Sequence, residues 1–577
     1  MNEISKEKLK LIDGQFDDVM EHIGWCGAFT LRLYAVMFVI IIWGAMNIAS
    51  AVFLVADVPH QCAIADDLKV YVEETCDFNW TSNQASLTGP VEDDKLSVCL
   101  RYTKSSLFNV SCTYWESGNL TGDNLTEETC TKWSYDNSMF TSTLVTDLNL
   151  VCEKKWMTKL PQLLLMFGVL LGALLCGIGS DRWGRRTCFS MSLIILTVFA
   201  LLTSFVKIFW IFLLIRMMVG VGAIGLCVSG VVYATEITSV RHRVLVNQML
   251  QSSFSIAFMF LALFAYLERR WFYLNLILSI PIIAFVPFYM WFSDESPRWL
   301  LSKGKSQAAL RSLNRMATVN KTNLSEFFDQ FKDNEVLGQE NLTIQESDKS
   351  KATRVPSSTL DIFRNPTLRV MSMILFYNWF AVTCIYYGLT LNTGSLNGNP
   401  FLNFFLIALV EIPANLGAVA VIKAWGRRPT ICICNVIAGI CLLCMMFTPN
   451  SEPTINVMLV LIGKFGTTAS FSCIYLYTAE LYPTPLRGNG VGICSGWARI
   501  GGMVSLLIIM LGDISQNLPF IVFGFIAALA GVSILLLPET KGLPLPETTH
   551  DTEQMYKHRS ITLAKQFVPE SLRKSCS

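Results

Sequence analysis

The chain has 577 residues, of which 52% are hydrophobic and 15% are charged, and its formal net charge is +1. This composition is too apolar for a large soluble protein, and it predicts an all-α protein that crosses the membrane many times. We expect no nucleic-acid partner and no cofactor.

Twelve apolar segments are long enough to cross a membrane, since a hydrocarbon core about 30 Å thick requires about 20 apolar residues per helix. In chain order they are residues 33–55, 160–179, 189–206, 208–233, 246–267, 272–292, 370–391, 401–422, 430–447, 455–478, 490–511 and 519–537. The sequence therefore predicts twelve transmembrane helices in two groups of six.

Short motifs occur twice, once in each group of six, in the same order and at nearly the same spacing. The repeated segments are Trp183-Gly-Arg-Arg186 and Trp425-Gly-Arg-Arg428, then Tyr233-Ala-Thr-Glu236 and Tyr477-Thr-Ala-Glu480, then Glu295 and Glu539. One such match could arise by chance, but three in order indicate a duplicated half. We therefore predict two homologous six-helix bundles that enter the membrane from the same side.

Basic residues cluster in the short loops on one side of the predicted helices, and this bias predicts the cytoplasmic face. Residues 1–32, the linker 293–369 and the tail 538–577 are then cytoplasmic, and residues 160–292 and 370–537 hold helices two to six and seven to twelve. The period of the apolar residues around 307–316 predicts short amphipathic helices in the linker. Met1 to Lys10 lead into an acidic stretch, so we expect no cleavable signal sequence.

Residues 56–159 form a polar insert that the predicted orientation places outside the cell. It contains six cysteines, Cys62, Cys76, Cys99, Cys112, Cys130 and Cys152. An even number in an oxidising compartment predicts three disulfides, and all 15 pairings remain open. It also contains four glycosylation sequons, at Asn79, Asn109, Asn119 and Asn124. Sequons at Asn320, Asn323 and Asn341 fall in the cytoplasmic linker and should not be used.

No histidine lies inside a predicted helix, and no nucleophile and base occur together there, so we expect neither an enzyme nor a metal site. Four charged residues do lie inside predicted helices: Arg216, Glu411, Lys464 and Arg499. A charge in the membrane is costly unless it pairs or faces a wet cavity. Arg216 could equally be structural, whereas Glu411 and Arg499 favour a cavity.

Aromatic residues share helix faces near these charges. Trp379 and Tyr386 lie seven residues apart in the seventh segment, and Phe471 and Tyr475 lie four apart in the tenth. Such aromatic faces usually serve only to pack helices together. Beside buried charges they could also bind an organic cation, with an interaction free energy of about 0.5–2 kcal/mol per ring.

These motifs resemble the organic cation, carnitine and organic anion transporter family of the major facilitator superfamily. The resemblance rests on the insert, on Gly177…Asp181-Arg-Trp-Gly-Arg-Arg186, on Thr146-Asp-Leu-Asn-Leu-Val-Cys152, on Glu295-Ser-Pro-Arg-Trp-Leu300 and on Tyr477-Thr-Ala-Glu-Leu-Tyr-Pro-Thr484. It implies two bundles around a cavity that opens to either side in turn. It also implies gating residues at the cytoplasmic ends of the helices: Asp181, Arg185, Arg186, Glu236, Arg427, Arg428, Glu480 and Arg487. Lys423 departs from the pattern, because the first copy of the motif has Asp181 at the equivalent position. The gating contacts of the second copy should therefore be weaker or differently paired.

The resemblance further implies eight substrate-binding positions: Trp379, Tyr386, Tyr387, Glu411, Lys464, Phe471, Tyr475 and Arg499. Members that prefer cations have an acidic residue at the position of Arg499, whereas anion and carnitine carriers have arginine. Anion carriers also place a lysine where this chain has Asn415. One carboxylate, one guanidinium and aromatic walls suit a zwitterion, with Arg499 on its carboxylate and Glu411 and the rings facing its ammonium.

We therefore expect a multi-pass transporter of the plasma membrane that moves small organic zwitterions or cations, such as carnitine-like ammonium compounds, by alternating access. Its partners would be a small organic ion and membrane lipid. No motif distinguishes sodium coupling, proton coupling or facilitated movement. An organic-anion exchanger and a non-transporting receptor on the same fold are the alternatives.

Overall fold

The structure, a computed structural model, describes most of the chain. The described residues are 16–24, 26–63, 66–76, 91–92, 95–96, 98–103, 107, 126–239, 242–322, 361–395, 398–448, 453–483, 486–515, 517–543, 546 and 548–556.

In the part of the chain that the structure describes, twelve apolar helices form the membrane core, as predicted. They are α1 (Ala28–Ala49), α2 (Leu160–Trp183), α3 (Arg185–Phe205), α4 (Phe209–Glu236), α5 (Arg243–Leu267), α6 (Trp271–Phe292), α7 (Pro366–Leu391), α8 (Pro400–Trp425), α9 (Arg427–Cys444), α10 (Pro453–Leu481), α11 (Arg487–Met510) and α12 (Leu518–Ile534). In the described part of the chain, 11 helices are long and apolar enough to cross a membrane, and α12 is an apolar helix just below that length. We call α1–α6 the N-terminal half and α7–α12 the C-terminal half.

Some helices extend beyond the apolar segments that predicted them. Helix α4 continues to Glu236 and α10 to Leu481, each about one turn past the predicted end. Polar residues can continue a helix because the backbone hydrogen bonds do not depend on apolar side chains. The added turns carry Glu236 and Glu480, whose partners are described below.

Close packing between α2 and α4 relies on two glycines. A β-carbon at Gly168 would overlap the backbone of Met217, and one at Gly220 would overlap the backbone of Leu165. The two helices therefore touch backbone to backbone at this crossing, which any larger side chain would force apart. This contact helps to fix the position of α4, which carries Arg216.

Short helices outside the membrane segments pack together in the N-terminal half. The amphipathic helix predicted in the linker is present as Ser306–Asn320, beside the helices Pro297–Ser302 and Phe16–Ile23. Val19, Met20, Leu313 and Met316 are fully buried. The apolar faces of these amphipathic helices are therefore covered, as the hydrophobic effect requires.

A second compact unit comprises residues 53–160 and 267–274. Its described residues form three antiparallel strand pairs: β1 (His60–Cys62) with β6 (Trp133–Tyr135), β2 (Val91–Glu92) with β3 (Lys95–Leu96), and β4 (Leu100–Tyr102) with β5 (Glu127–Thr129). Trp271 Nε1 donates a hydrogen bond of 2.8 Å to Asp147 Oδ2, which ties residues 267–274 to this unit. The unit corresponds closely to the predicted polar insert.

Disulfides stabilise this small unit, as predicted. Cys62 is bonded to Cys130 and Cys99 to Cys152. The side chains of the other two predicted cysteines, Cys76 and Cys112, lie outside the described residues, as do the sequons at Asn79, Asn109, Asn119 and Asn124. Among the described residues, Cys62–Cys130 thus links β1 to the residue after β5, and Cys99–Cys152 links the residue before β4 to the start of the short helix Cys152–Lys159. Such bonds suit a small unit in which little apolar core is available.

Candidate functional site

A charged cluster joins the ends of α3, α4 and α6 in the N-terminal half. Helix α3 starts after Gly184, which has a φ of 105° and no β-carbon; a β-carbon there would overlap the Glu295 carboxylate. Glu295 Oε1 accepts hydrogen bonds from the backbone N–H groups of Arg185 at 2.7 Å and Arg186 at 3.0 Å. A carboxylate at a helix N-terminus satisfies free N–H groups and complements the helix dipole.

The Arg185 side chain completes this cluster. Its guanidinium pairs with Glu236 at 2.7 Å and with Asp181 at 3.0 Å. Ser296 Oγ donates a further hydrogen bond of 2.6 Å to Glu236. The cluster therefore links the end of α2, the start of α3, the end of α4 and the segment after α6.

The C-terminal half contains the same cluster at the equivalent residues. Gly426 has φ 96°, and Glu539 accepts hydrogen bonds from the backbone N–H groups of Arg427 at 3.0 Å and Arg428 at 2.9 Å. Arg427 pairs with Glu480 at 2.7 Å, and Thr540 Oγ1 donates to Glu480 at 2.6 Å, as Ser296 does to Glu236. The duplication predicted from three motifs is thus reproduced in the backbone contacts of the glutamate and in the arginine–glutamate ion pair.

The predicted gating residues lie in these two clusters or beside them, and the contacts given above stay within one half. Asp181 pairs only with Arg185 among the described residues, and its side chain is 79% exposed. Lys423 stands where Asp181 stands in the first copy, so Arg427 has no counterpart of the ion pair between Arg185 and Asp181. Arg487 is the first residue of α11. A gating contact between the halves remains a prediction.

Sequence reasoning did not identify the roles of Glu295, Glu539, Ser296 and Thr540. Glu295 and Glu539 were recognised as a repeated pair, but not as helix-terminal acceptors. The signal available was the repeat itself, since the pairs Glu295-Ser296 and Glu539-Thr540 both offer a carboxylate followed by a hydroxyl.

A buried ion pair lies in the C-terminal half. Lys464 Nζ in α10 is 2.9 Å from Glu411 Oε1 in α8, and their side chains are 0% and 2% exposed. Lys464 Nζ also donates to Thr390 Oγ1 at 2.6 Å and to the Tyr386 carbonyl at 3.3 Å, both in α7. It lies 3.2 Å from the centroid of the Tyr386 ring. The lysine therefore neutralises Glu411 and covers one face of Tyr386.

The second oxygen of Glu411 bonds to the other half of the protein. Ser255 Oγ in α5 donates a hydrogen bond of 2.8 Å to Glu411 Oε2. Both residues are buried. Helices α5 and α8 also meet through the ring pairs Phe258–Phe404 at 5.9 Å and Tyr266–Phe401 at 5.9 Å. Sequence reasoning did not identify Ser255 either, because a serine in a membrane helix is unremarkable without its partner.

Five predicted substrate-binding residues form one aromatic cluster on α7 and α10: Trp379, Tyr386, Tyr387, Phe471 and Tyr475. Phe471 stacks on Tyr386 at 5.9 Å and meets Tyr475 at 5.3 Å, and Tyr387 meets Tyr386 at 5.4 Å. Trp379 is fully buried behind Tyr475, where its Nε1 donates to Thr478 Oγ1 at 2.9 Å. In this structure Trp379 therefore supports the cluster and presents no accessible surface.

Arg499 in α11 faces this cluster. Its guanidinium interacts electrostatically with the side chains of Tyr387, Tyr475 and Cys227 in α4. Within the described ranges Arg499 forms no ion pair, and its Nε atom is buried without a hydrogen-bond partner. Arg499 is therefore the charge of this site that is not neutralised.

Arg216, the fourth charged residue, has structural contacts. It is 1% exposed, and it donates to Ser50 Oγ at 3.1 Å and to the Asn47 carbonyl at 3.4 Å. These bonds join α4 to the end of α1. The question that the sequence left open for Arg216 is therefore answered in favour of helix packing.

Comparison with known proteins identifies the family. A family profile described as "Sugar (and other) transporter" matches residues 130–551. The organic cation transporter protein of Drosophila melanogaster is 32% identical over 543 residues, which cover 94% of this chain and 95% of that protein. Organic cation/carnitine transporter 2 of Homo sapiens is 32% identical over 537 residues, which cover 92% and 93%.

The chain belongs to the organic cation, carnitine and organic anion transporter family of the major facilitator superfamily. Solved structures agree on the fold. One is the xylose transporter XylE of E. coli in a partially occluded inward-open conformation, which matches with a TM-score of 0.55 at 14% sequence identity. The match covers 89% of this chain and 100% of that chain. The protein is thus a multi-pass membrane transporter and not an enzyme. In the described part of the chain, no three histidine, cysteine, aspartate or glutamate side chains are arranged to hold a metal ion.

Proposed function

We propose that this family member carries small organic zwitterions or cations across the plasma membrane, and that it prefers ammonium compounds that also bear a carboxylate. The observation that supports this preference is the difference between two cationic residues. Lys464 is neutralised by Glu411 at 2.9 Å, whereas Arg499 has no acidic partner among the described residues. The site therefore offers one uncompensated positive charge to the substrate.

Arg499 would bind the carboxylate of the substrate. A guanidinium can donate two parallel hydrogen bonds to a carboxylate, and such bonds are stronger than neutral ones. Its buried Nε atom has a proton to donate and no partner. A carboxylate would supply that partner, which a substrate without one cannot do.

The aromatic cluster would hold the ammonium group. Tyr387, Phe471 and Tyr475 are only partly buried, and ring faces attract organic cations through their quadrupoles. The sequence suggested that Glu411 also faces the substrate ammonium. We revise that assignment, because Lys464 already takes this position.

Alternating access would require helices of the two halves to separate. The bonds between α5 and α8, among them Ser255 to Glu411, must break in any state in which these helices move apart. The names of the relatives, organic cation transporter and organic cation/carnitine transporter, support the substrate class. Sodium or proton coupling is tested by ion replacement in the same assay.

Uptake by cells that express the wild type, Arg499→Ala or Arg499→Lys tests this proposal. The substrates are labelled carnitine, a permanent organic cation and a dicarboxylate, each with and without sodium. Since bonds to charged groups contribute about 1.5–3 kcal/mol, Arg499→Ala should lower carnitine uptake at least about tenfold. Uptake of the cation should persist, and Arg499→Lys should restore carnitine uptake only in part. Equal losses for carnitine and the cation at unchanged surface amount would contradict the proposal.

A further inference from the structure

We propose that Lys464 acts as a tethered ammonium ion that fills a cation subsite from within the protein. The subsite consists of Glu411, Thr390 and Tyr386. This inference deepens the proposed function, on which it rests, because it explains why a substrate ammonium does not reach the one carboxylate of the site.

The contacts of Lys464 are those of a bound primary ammonium. An ammonium group of this type has three N–H donors and no acceptor. Lys464 Nζ donates hydrogen bonds to Thr390 Oγ1 at 2.6 Å and to the Tyr386 carbonyl at 3.3 Å, and it forms an ion pair with Glu411 Oε1 at 2.9 Å. The Tyr386 ring lies on a further side, at 3.2 Å from its centroid. The ammonium is therefore held by two hydrogen bonds, one ion pair and one ring face.

This geometry specifies which cation the subsite accepts. A primary alkylammonium can give both hydrogen bonds as well as the ion pair, whereas a quaternary ammonium has no N–H donor and would leave Thr390 and the Tyr386 carbonyl unpaired. The subsite is also fully enclosed, since the Lys464 side chain is 0% exposed. The site is therefore selective for small primary ammonium ions once the lysine is removed.

The charge balance of the site follows from the presence of the Lys464 ammonium in this subsite. With Lys464 in place, Glu411 contributes no free negative charge, and Arg499 determines the preference for a carboxylate. Without the lysine ammonium, the buried carboxylate would be left uncompensated, which strongly destabilises a folded protein. A diffusible ammonium ion that enters the vacated space would remove this penalty.

A purely structural ion pair predicts a different result. In that case the lysine chain is part of the packing, and no small molecule replaces it. A ligand subsite, by contrast, retains its acceptors when the tether is cut. The two readings therefore differ in whether a free amine can take the place of the side chain.

The experiment uses full-length Lys464→Ala protein with n-propylammonium, which reproduces the three carbons and the ammonium that alanine lacks. We expect a lowered unfolding temperature that n-propylammonium raises in a saturable manner, with an affinity at least about tenfold higher than that of tetramethylammonium. The double variant Lys464→Ala/Glu411→Ala should not respond. No stabilisation of Lys464→Ala, or an equal response of the double variant, would overturn the proposal.

Expression in cells covers the case in which the purified variant is too unstable. Lys464→Ala and Lys464→Ser are grown with n-propylammonium or tetramethylammonium, and the surface amount is measured. Recovery with the primary ammonium alone supports the subsite, and recovery with neither contradicts it. Arg499→Ala combined with Lys464→Ala should respond in the same way, because Arg499 is not among the contacts. A failure of the Arg499 assignment can therefore be told apart from a failure of this one.

Discussion

Ser255 and Glu411 form a buried hydrogen bond of 2.8 Å between the two halves of the transporter. The serine belongs to α5 and the glutamate to α8, and the same carboxylate is paired with Lys464. One side chain thus takes part in the charge balance of the site and in the contact between the halves. A movement that separates α5 from α8 must change the hydrogen bonding of the ion pair.

Replacing Ser255 by alanine should alter the transport cycle. A hydrogen bond to a charged group contributes about 1.5–3 kcal/mol, so Ser255→Ala should shift the equilibrium between the states by about tenfold or more. We expect a changed maximal uptake rate, with Ser255→Thr close to the wild type because it keeps the hydroxyl. Ser253→Ala is the matched control, since Ser253 is also buried but donates to the Leu250 carbonyl of its own helix at 2.6 Å. Ser255→Ala kinetics identical to those of the wild type and of Ser253→Ala would count against this role.

Asn320 caps helix α1 from the linker. Its Oδ1 accepts a hydrogen bond of 2.7 Å from the Phe29 N–H, and its Nδ2 donates to the Ile23 carbonyl at 3.0 Å. Gly27, at the start of α1, has no side chain that could do this. Asn320→Ala should therefore lower the free energy of unfolding by about 1–2 kcal/mol.

Unfolding in denaturant measures this effect of Asn320. Asn320→Asp keeps the acceptor for Phe29 but loses the donor to Ile23, so its effect should be smaller. Thr318→Ala is the control, because Thr318 is exposed and donates to Asn314 of the same helix at 2.8 Å. Equal stability of Asn320→Ala and Thr318→Ala would show that the cap contributes nothing.

The two copies of the charged cluster should differ in strength. Arg185 pairs with Glu236 and Asp181, whereas Arg427 pairs with Glu480 and has no counterpart of Asp181 because the chain has Lys423 there. Arg185 is also the more buried of the two, at 11% against 20% exposure of the side chain. We expect Arg185→Ala to lower the free energy of unfolding more than Arg427→Ala does, each by about 1–3 kcal/mol.

Replacing Asp181 by lysine, the residue at the equivalent position 423, provides the control for this comparison. Asp181→Lys should remove most of the difference between the two arginine variants, because it gives the first copy the residue of the second. Both arginine variants are therefore made with and without Asp181→Lys, and their denaturation is compared with that of the wild type and of Asp181→Lys at one salt concentration. An Arg427→Ala variant less stable than Arg185→Ala would contradict this account of the clusters.

The helices and the repeat could be predicted because apolar length and duplicated motifs are local properties of the sequence. The pairing of Lys464 with Glu411 could not, since the two residues lie on different helices and meet only when the rotation of each helix is fixed. Trp379 illustrates the same limit. The spacing predicts that Trp379 and Tyr386 lie on one face of a helix, but the burial of Trp379 behind Tyr475 depends on how α7 and α10 pack. The hydrogen-bond partners of Glu295 and Glu539 could not be predicted either, because they lie far from these residues in the sequence.

Arg499 carries the central claim, and reversal of its charge tests that claim most directly. Arg499→Glu places a carboxylate beside Tyr387 and Tyr475, where the wild type offers a guanidinium. The measurement is inhibition of labelled substrate uptake by unlabelled carnitine and by a permanent organic cation, in cells with equal surface amounts of each protein. We predict that the preference reverses, with inhibition by carnitine weakened and inhibition by the cation strengthened, each at least about tenfold. An unchanged order of the two inhibitors would contradict the account.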